Sequence, residues 1–294
     1  MTTTATSVWT PLSIISWGVG YLKGREIDSP RLTVELLLSH THGCRRIDLY
    51  TNFEKPLTPQ ELARFKELLK RRLDREPLQY ILGKTEFMGL EFQVSRSVLI
   101  PRPETEKLVE VVLEECKQFD DRSPIRILDI GTGSGNIPIT LARYNSKIEC
   151  TACDISGDAI EVAKRNAANH GVESRITFME QDILTTVPSE GAPFDIVVSN
   201  PPYIARDEYA SLQPEITQYE PRSAATDEHD GLVFFRRMTS IMAELMKKNG
   251  ACFVEIAYNQ GEAVSALFSS VFRDVAILKD YSGHDRVVCG RGGR

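Results

Sequence analysis

No apolar run in the 294 residues reaches the roughly 18 positions that a bilayer-spanning helix needs, so no transmembrane helix and no membrane partner are expected. The opening stretch MTTTATSVWTPLSII lacks a basic n-region and a clean apolar h-region. No signal peptide is read there, and the cytoplasm is the expected compartment. Cysteine is sparse: the six are Cys44, Cys116, Cys150, Cys153, Cys252 and Cys289, too scattered for a disulfide framework. Cys150 and Cys153 form a C-x-x-C within KIECTACDI, which reads as a strand. Residues three apart on a strand point to opposite faces, so the pair reads as two small buried apolar residues and no metal is expected. Positive charge falls short of negative, 35 Lys and Arg against 41 Asp and Glu, for a net charge of −6. That balance argues against a broad nucleic-acid footprint, and no sequence-specific nucleic-acid binding is expected. There is no internal repeat and no low-complexity tract.

What remains is a globular composition, 41% hydrophobic and 26% charged, with two unlike parts. Residues 1–80 hold 12 Lys and Arg against 9 Asp and Glu, a balance of +3; the rest holds 23 against 32, a balance of −9. The basic residues gather in RFKELLKRRLDR, Arg64 to Arg75. They read as a solvated helix face, or more sharply as a docking surface for an acidic or RNA-containing partner. This first part reads as helical. Ser29-Pro30 offers an N-cap with proline at the first helical position, and Gly43 closes that helix. Thr58 to Glu61 spells a capping box ahead of a stripe of Leu62, Phe65, Leu68, Leu69 and Leu73. LQYILG and LEFQVSRSVL look like the arms of a hairpin linker. From Pro103 onward helices alternate with strands: IRILDIG, KIECTACDI, ITFMEQDI, FDIVVSN and ACFVEIA are the strands. A helix is expected from DGLVFF through to Gly250, and VAILKD with RVVCGR can pair as a terminal hairpin. Such alternation implies βαβ units around a largely parallel sheet.

RILDIGTGSGNIPI sets Gly131, Gly133 and Gly135 between a strand and a helix, with Thr132 and Ser134 interleaved. Glycines there permit positive φ and close approach of a ligand to the backbone. Asn136 stands where the dinucleotide fingerprint has its last glycine. Asp129 before the loop repels a pyrophosphate and suits a cation or ammonium group. Asp154 ends the next strand, where an acid reaches the two hydroxyls of a ribose. A nucleoside cofactor without phosphates is implied, and S-adenosylmethionine fits. Asp182 ends the following strand and is expected near the adenine, with Ile183 against the ring.

Asn200 ends the fourth strand of the α/β part and is followed by Pro201, Pro202 and Tyr203. Its side-chain oxygen accepts, and the carbonyls of Asn200 and Pro201 accept with no competing N–H from the prolines. Tyr203 offers a flat ring for stacking. An acceptor-rich pocket beside an aromatic face suits a planar NH₂ group, a carboxamide or a base amine. Two acceptors on its N–H bonds would orient the nitrogen lone pair and favour the charge that develops as a methyl arrives.

LQYILGKTEFMGLEFQVSRSVLIPRPETEKLVE, ILDIGTGSGNIPI, VVSNPPYIARDEY and YEPRSAATDEHDGL together resemble the bacterial peptide chain release factor glutamine methyltransferase family, over residues 25–290. NPPY alone is shared with DNA adenine-N6 and guanine-N2 methyltransferases; LIPRPETE is more specific. The resemblance implies a Rossmann-like class I S-adenosylmethionine-dependent methyltransferase sheet with a C-terminal antiparallel hairpin and a small all-α N-terminal domain. The expected division is a helical substrate-recognition domain over 1–76, a hairpin linker over 77–100 and the methyltransferase domain over 101–294. The resemblance also implies methyl transfer to the glutamine nitrogen in the Gly-Gly-Gln tip of class 1 release factors. Carried over, Asp129, Gly131 to Gly135, Asp154, Asp182, Ile183 and Asn200 bind cofactor. Asn200, Pro201, Pro202 and Tyr203 form the glutamine pocket, and Arg102 and Glu104 close the cleft. The family's cofactor strand often ends Asp-Trp, whereas here it ends Asp182-Ile183. Methylation of a ribosomal-protein glutamine, a nucleic-acid base methyltransferase and a non-catalytic cofactor-binding protein are the competing readings.

Overall fold

The computed structural model describes residues 8–119 and 123–293; the first seven residues, read above for a leader, lie outside the described residues. The chain divides between Gly83 and Lys84 into two compact units. Among its described residues the first holds five helices: α1 (Pro11–Lys23), α2 (Pro30–His42), α3 (Arg46–Thr51), α4 (Pro59–Leu73) and α5 (Leu78–Leu82). Their apolar faces share one core, in which Phe65, Leu68 and Leu69 from α4 meet Val34, Leu37 and Leu38 from α2. The capping box forms as the sequence predicts. Thr58 Oγ1 accepts from Glu61 N at 3.2 Å, and Thr58 N donates back to Glu61 Oε2 at 2.7 Å. Removing that cap in Thr58→Ala is expected to cost about 1 kcal/mol, measured by urea denaturation followed by circular dichroism. Ser29 does not cap α2 with its side chain; it sits at φ 46° with no cap hydrogen bond.

LQYIL is a helix and not a strand. Pro77 presets the first turn, Gly83 ends it at φ 75°, and Tyr80 and Ile81 are buried. The hairpin starts one step later, with β1 (Lys84–Phe87) antiparallel to β2 (Leu90–Gln93). Both strands belong to the second unit. Asn166 clamps this hairpin to the glycine loop: its Oδ1 accepts from Gln93 N at 2.8 Å, and its Nδ2 donates to Gln93 O and Ser134 O.

The second unit continues with α6 (Pro103–Cys116), β3 (Ile125–Ile130), α7 (Asn136–Tyr144), β4 (Ile148–Asp154), α8 (Gly157–Asn169), β5 (Ile176–Glu180) and β6 (Phe194–Ser199). Three short helices follow, α9 (Arg206–Tyr209), α10 (Pro214–Tyr219) and α11 (Arg222–Ala225). The last elements are α12 (Val233–Leu245), β7 (Met246–Glu255), α13 (Gly261–Ser269), β8 (Phe272–Lys279) and β9 (Asp285–Gly293). One seven-stranded sheet runs in the order β5-β4-β3-β6-β7-β9-β8. Strands β3 to β7 pair in parallel, and β9 pairs antiparallel with both β7 and β8. This is the class I methyltransferase sheet with its antiparallel C-terminal strands. Helices α6 and α7 cover one face and α12 and α13 the other. Cys150 lies in the first of these cores and Cys153 in the second, as strand alternation requires. Helix α12 stops at Leu245, five residues short of Gly250. Met246 pairs with Phe194, and Lys247 forms an ion pair with Asp195 at 2.7 Å, so sheet pairing overrides the helical pattern of MKKNG. Gly250 permits that approach, since a Cβ there would lie 2.8 Å from Asp195 O. No helix among the described residues is long and apolar enough to cross a membrane.

Candidate active site

The chain leaves β3 toward β4 and β5 on one side of the sheet, then returns to β6 and β7 on the other. The switch point lies between β3 and β6, and ligands of open α/β sheets bind beyond the carboxyl ends of the strands there. Those ends carry Ile130, Asp154, Glu180, Ser199 and Glu255. A buried hydrogen bond from Ser199 Oγ to Ile130 O, 2.7 Å, ties the two strands at the switch. A cavity of about 590 Å³ opens above this edge, lined wholly by residues of the second unit.

On one side of the cavity lie Gly131, Thr132, Gly133 and Ser134, with Asp154 beside them. Gly131, Gly133 and Gly135 adopt φ of 75°, 54° and 79°, the left-handed region that glycine enters without penalty. A Cβ on Gly133 would meet no protein atom, so the space beside its backbone is open to a ligand. Gly135 does different work. A Cβ there would meet Ile139 Cδ1 at 2.7 Å and Ala163 Cβ at 3.1 Å, so this glycine lets the loop pack on the helices. Asp154 accepts from Gly133 N at 2.8 Å and Ser156 N at 3.0 Å. Burial lifts its pKa above the ordinary value, against the pull of those two N–H groups. Asp182 and Ile183 line the same cavity, the Asp182 carboxylate bracing the turn through Leu184 N at 2.8 Å.

Asp129 lies beneath the loop, fully buried and outside the lining. Neither carboxylate oxygen makes a hydrogen bond of normal geometry, nor does the Thr132 hydroxyl. Desolvation pushes the Asp129 pKa up to about 7, the nearby Thr132 hydroxyl opposing and the Asp154 charge adding to the rise.

The third wall is Asn200, Pro201 and Pro202. Asn200 Nδ2 donates to Thr105 Oγ1 at 3.2 Å, which leaves Oδ1 in the acceptor role. Tyr203 does not line the cavity. It packs against the core beneath, and its hydroxyl donates to Glu255 Oε1 at 3.2 Å. The expected stacking wall is therefore turned inward. Gln260 Nε2 grips the turn, donating to Tyr203 O at 2.9 Å and Gly231 O at 3.3 Å. Arg102 lines the cavity and is held by an ion pair with Glu220, which also accepts from Ile100 N at 3.2 Å. LIPRPETE and YEPRSAATDEHDGL thus meet through Glu220. Glu104 sits exposed in the first turn of α6 and does not line the cavity.

The sequence reading passed over Thr105, Glu220, Asp227, Glu255 and Gln260. Asp227 organises the loop ahead of α12 by accepting from the N–H groups of His229, Gly231 and Val233. The rule that singled out Asp154, an acid at the carboxyl end of a parallel strand, applies equally to Glu255. Among the described residues no cluster of His, Cys, Asp and Glu is suited to a metal ion.

Residues 13–83 match the PrmC N-terminal domain family and residues 121–284 the methyltransferase domain family. Among curated proteins, the chain is similar to the release factor glutamine methyltransferases of Geobacter sulfurreducens, at 42% identity over 97% of this chain and 98% of that protein, and of Chlorobaculum tepidum, at 41% over 95% and 96%. The Bacillus subtilis protein of the same name is 39% identical over 94% of this chain and 95% of its own. Among solved structures, the hMettl16 catalytic domain in complex with the MAT2A 3′UTR hairpin 6 covers 73% of this chain and 81% of its own, with a TM-score of 0.54 at 18% identity. At that identity the likeness is one of fold.

Proposed function

The chain belongs to the release factor glutamine methyltransferase family, and we propose that it methylates the side-chain nitrogen of the glutamine in the Gly-Gly-Gln tip of class 1 release factors, using S-adenosylmethionine. One observation carries this reading within the site. Asn200, with its amide nitrogen committed to Thr105, presents an acceptor to the same cavity that the glycine loop and Asp154 line.

The residues fit the cofactor. The open space beside Gly133 admits a ligand against the backbone, and the uncompensated carboxyl of Asp129 favours a cationic group over a phosphate. Asp154 is the acceptor for ribose hydroxyls, while Asp182 and the buried Ile183 edge the adenine. S-adenosylmethionine, when bound, supplies an electrophilic methyl group on a sulfonium. Asn200 Oδ1 and the Pro201 carbonyl each accept one N–H of the glutamine amide. Two fixed acceptors orient the nitrogen lone pair and stabilise positive charge as it grows there, with positioning the dominant effect. No strong base is required beforehand, because the alkylated nitrogen is acidic and sheds its proton afterwards. Arg102, fixed by Glu220, closes the cleft. The helical unit, with its basic α4, is the recognition module, and a release-factor substrate puts the reaction in the cytoplasm.

The test is transfer of labelled methyl to purified release factor, ribosomal proteins and duplex DNA in parallel. Label confined to the release factor, and lost when the tip glutamine is changed to alanine, supports the proposal. Label only in DNA or ribosomal protein overturns it.

Asp129 makes cofactor binding pH-dependent. Below its pKa of about 7 the carboxyl carries a proton that a cationic ligand must expel; above it the carboxylate already exists. Affinity for S-adenosylmethionine is expected to weaken by up to about tenfold per pH unit below neutrality and to level off above it. Calorimetric titration of wild type and Asp129→Asn checks this, the variant losing the slope.

A further inference from the structure

We infer that Glu255 is a positioning residue for the methyl-acceptor pocket, its buried carboxyl holding Tyr203 directly and Asn200 through the Thr105 hydroxyl. The inference rests on the proposed reading of Asn200 to Tyr203 as that pocket.

Glu255 is the last residue of β7 and is 1% exposed. It lies at the same sheet edge as Asp154 and the Asn200 turn, yet does not line the cavity. Its Oε1 accepts from the Tyr203 hydroxyl at 3.2 Å. Thr105, also 1% exposed, stands in the first turn of α6 and accepts from Asn200 Nδ2 at 3.2 Å. A threonine hydroxyl has one proton to give. With its oxygen already accepting from Asn200, that proton is free to turn to an acceptor. Glu255 Oε2 is buried and makes no hydrogen bond of normal geometry, and the nearby Thr105 hydroxyl favours the charged form of that carboxyl. One carboxyl therefore stands behind both ends of the Asn-Pro-Pro-Tyr turn.

The charged surroundings give Glu255 no dedicated partner. Arg286 on β9 favours its charge but is committed to Asp280 at 3.2 Å and to Ile256 O at 3.2 Å; Glu104 on α6 opposes the charge. Burial is the largest influence and pushes the Glu255 pKa up to about 7. A buried acid of this kind serves packing less well than an apolar residue of the same size. Its two hydroxyl neighbours supply the reason for its presence: Tyr203 donates to Oε1, and the unpartnered Oε2 is the acceptor left for the Thr105 proton. Glutamine keeps the shape but puts a donor NH₂ group in place of one carboxylate oxygen, so one of the two hydroxyls loses the acceptor it faces.

The experiment measures kcat and KM for release-factor methylation, together with S-adenosylmethionine affinity, in Glu255→Gln, Thr105→Val, Thr105→Ser, the Glu255→Gln/Thr105→Val double variant and Asn200→Ala. Expected is a loss of at least about tenfold in kcat for Glu255→Gln and Thr105→Val, because a displaced acceptor misaligns the reacting nitrogen. Cofactor affinity should stay within about threefold, and the double variant should be no worse than the poorer single, since both act on one device. Thr105→Ser, which keeps the hydroxyl, should recover the rate. Wild-type kcat is expected to rise through about neutral pH as Glu255 ionises, and Glu255→Gln is expected to lose that rise. A wild-type kcat in Glu255→Gln, or losses that multiply in the double variant, overturns the inference. If Glu255→Gln shows no thermal unfolding transition, the Thr105 pair decides: a slow Val with an active Ser supports, and an active Val overturns. Asn200→Ala separates the two levels. Wild-type rate there removes the pocket reading and the inference with it; an inactive Asn200→Ala beside fully active Thr105→Val and Glu255→Gln removes only the inference.

Discussion

Replacing Asn200 by alanine is expected to lower kcat by about 10²–10³-fold, roughly 2.7–4 kcal/mol of lost stabilisation, as when one preorganised polar contact is taken from a developing charge. The side chain is small, stands at the end of β6 and makes one hydrogen bond, to Thr105 Oγ1 at 3.2 Å. Its removal leaves the sheet and both cores intact, so the melting temperature should shift by no more than about 2 °C. The acceptor is what disappears. Without Oδ1 the substrate amide is held by backbone carbonyls alone, and its nitrogen samples orientations in which the lone pair points elsewhere. The loss should therefore fall on kcat more than on KM. Single-turnover methylation of release factor provides the measurement, and a rate within about threefold of wild type would remove Asn200 from the mechanism.

The second large effect is expected from a residue that touches no ligand. Gly231 sits at φ 80°, and a Cβ there would lie 2.5 Å from Tyr203 O and 2.7 Å from Gln260 Nε2. Both are parts of the clamp in which Gln260 Nε2 donates to Tyr203 O and Gly231 O. Alanine at 231 must push the Tyr203 backbone, break the clamp or move the loop that Asp227 organises. A shift of about 1 Å in a positioning element costs roughly 10²-fold in rate, and Gly231→Ala is expected to lose about that much. Cofactor affinity should hardly change, because Gly133 and Asp154 stand elsewhere along the sheet edge. Calorimetric cofactor binding alongside steady-state kinetics tests both halves. A variant that loses cofactor affinity in parallel with rate would mean that the loop serves the whole cavity and not the Asn200 turn alone.

What a linear reading can reach depends on whether a residue's role is local. The glycines of ILDIGTGSG are legible because positive φ is a property of one residue and its two neighbours. The capping box at Thr58 and Glu61, the βαβ alternation and the opposite orientation of Cys150 and Cys153 are legible for the same reason: period and spacing carry them. Asp154 and Asn200 add only the rule that parallel strands present their carboxyl ends at one edge. Family membership is legible too, since the motifs stand unbroken in the chain.

Tertiary structure decided what depends on partners far away in sequence. LQYIL has the short apolar run of a strand, but Pro77, Gly83 and the helical core make it a helix. MKKNG has a helical composition, but pairing with Phe194 and the Asp195 ion pair draw it into the sheet. Tyr203 looked like a wall for stacking until Glu255, 52 residues on, claimed its hydroxyl. Thr105 and Asn200 are 95 residues apart, and Arg102 and Glu220 are 118. No spacing rule spans such distances. The sequence by itself determined the fold class, the family and the glycine loop, Asp154 and Asn200 that line the cavity. Only the folded chain decided which residues hold them in place, because a buried hydrogen bond is chosen by proximity in space and by the cost of leaving its donor without a partner.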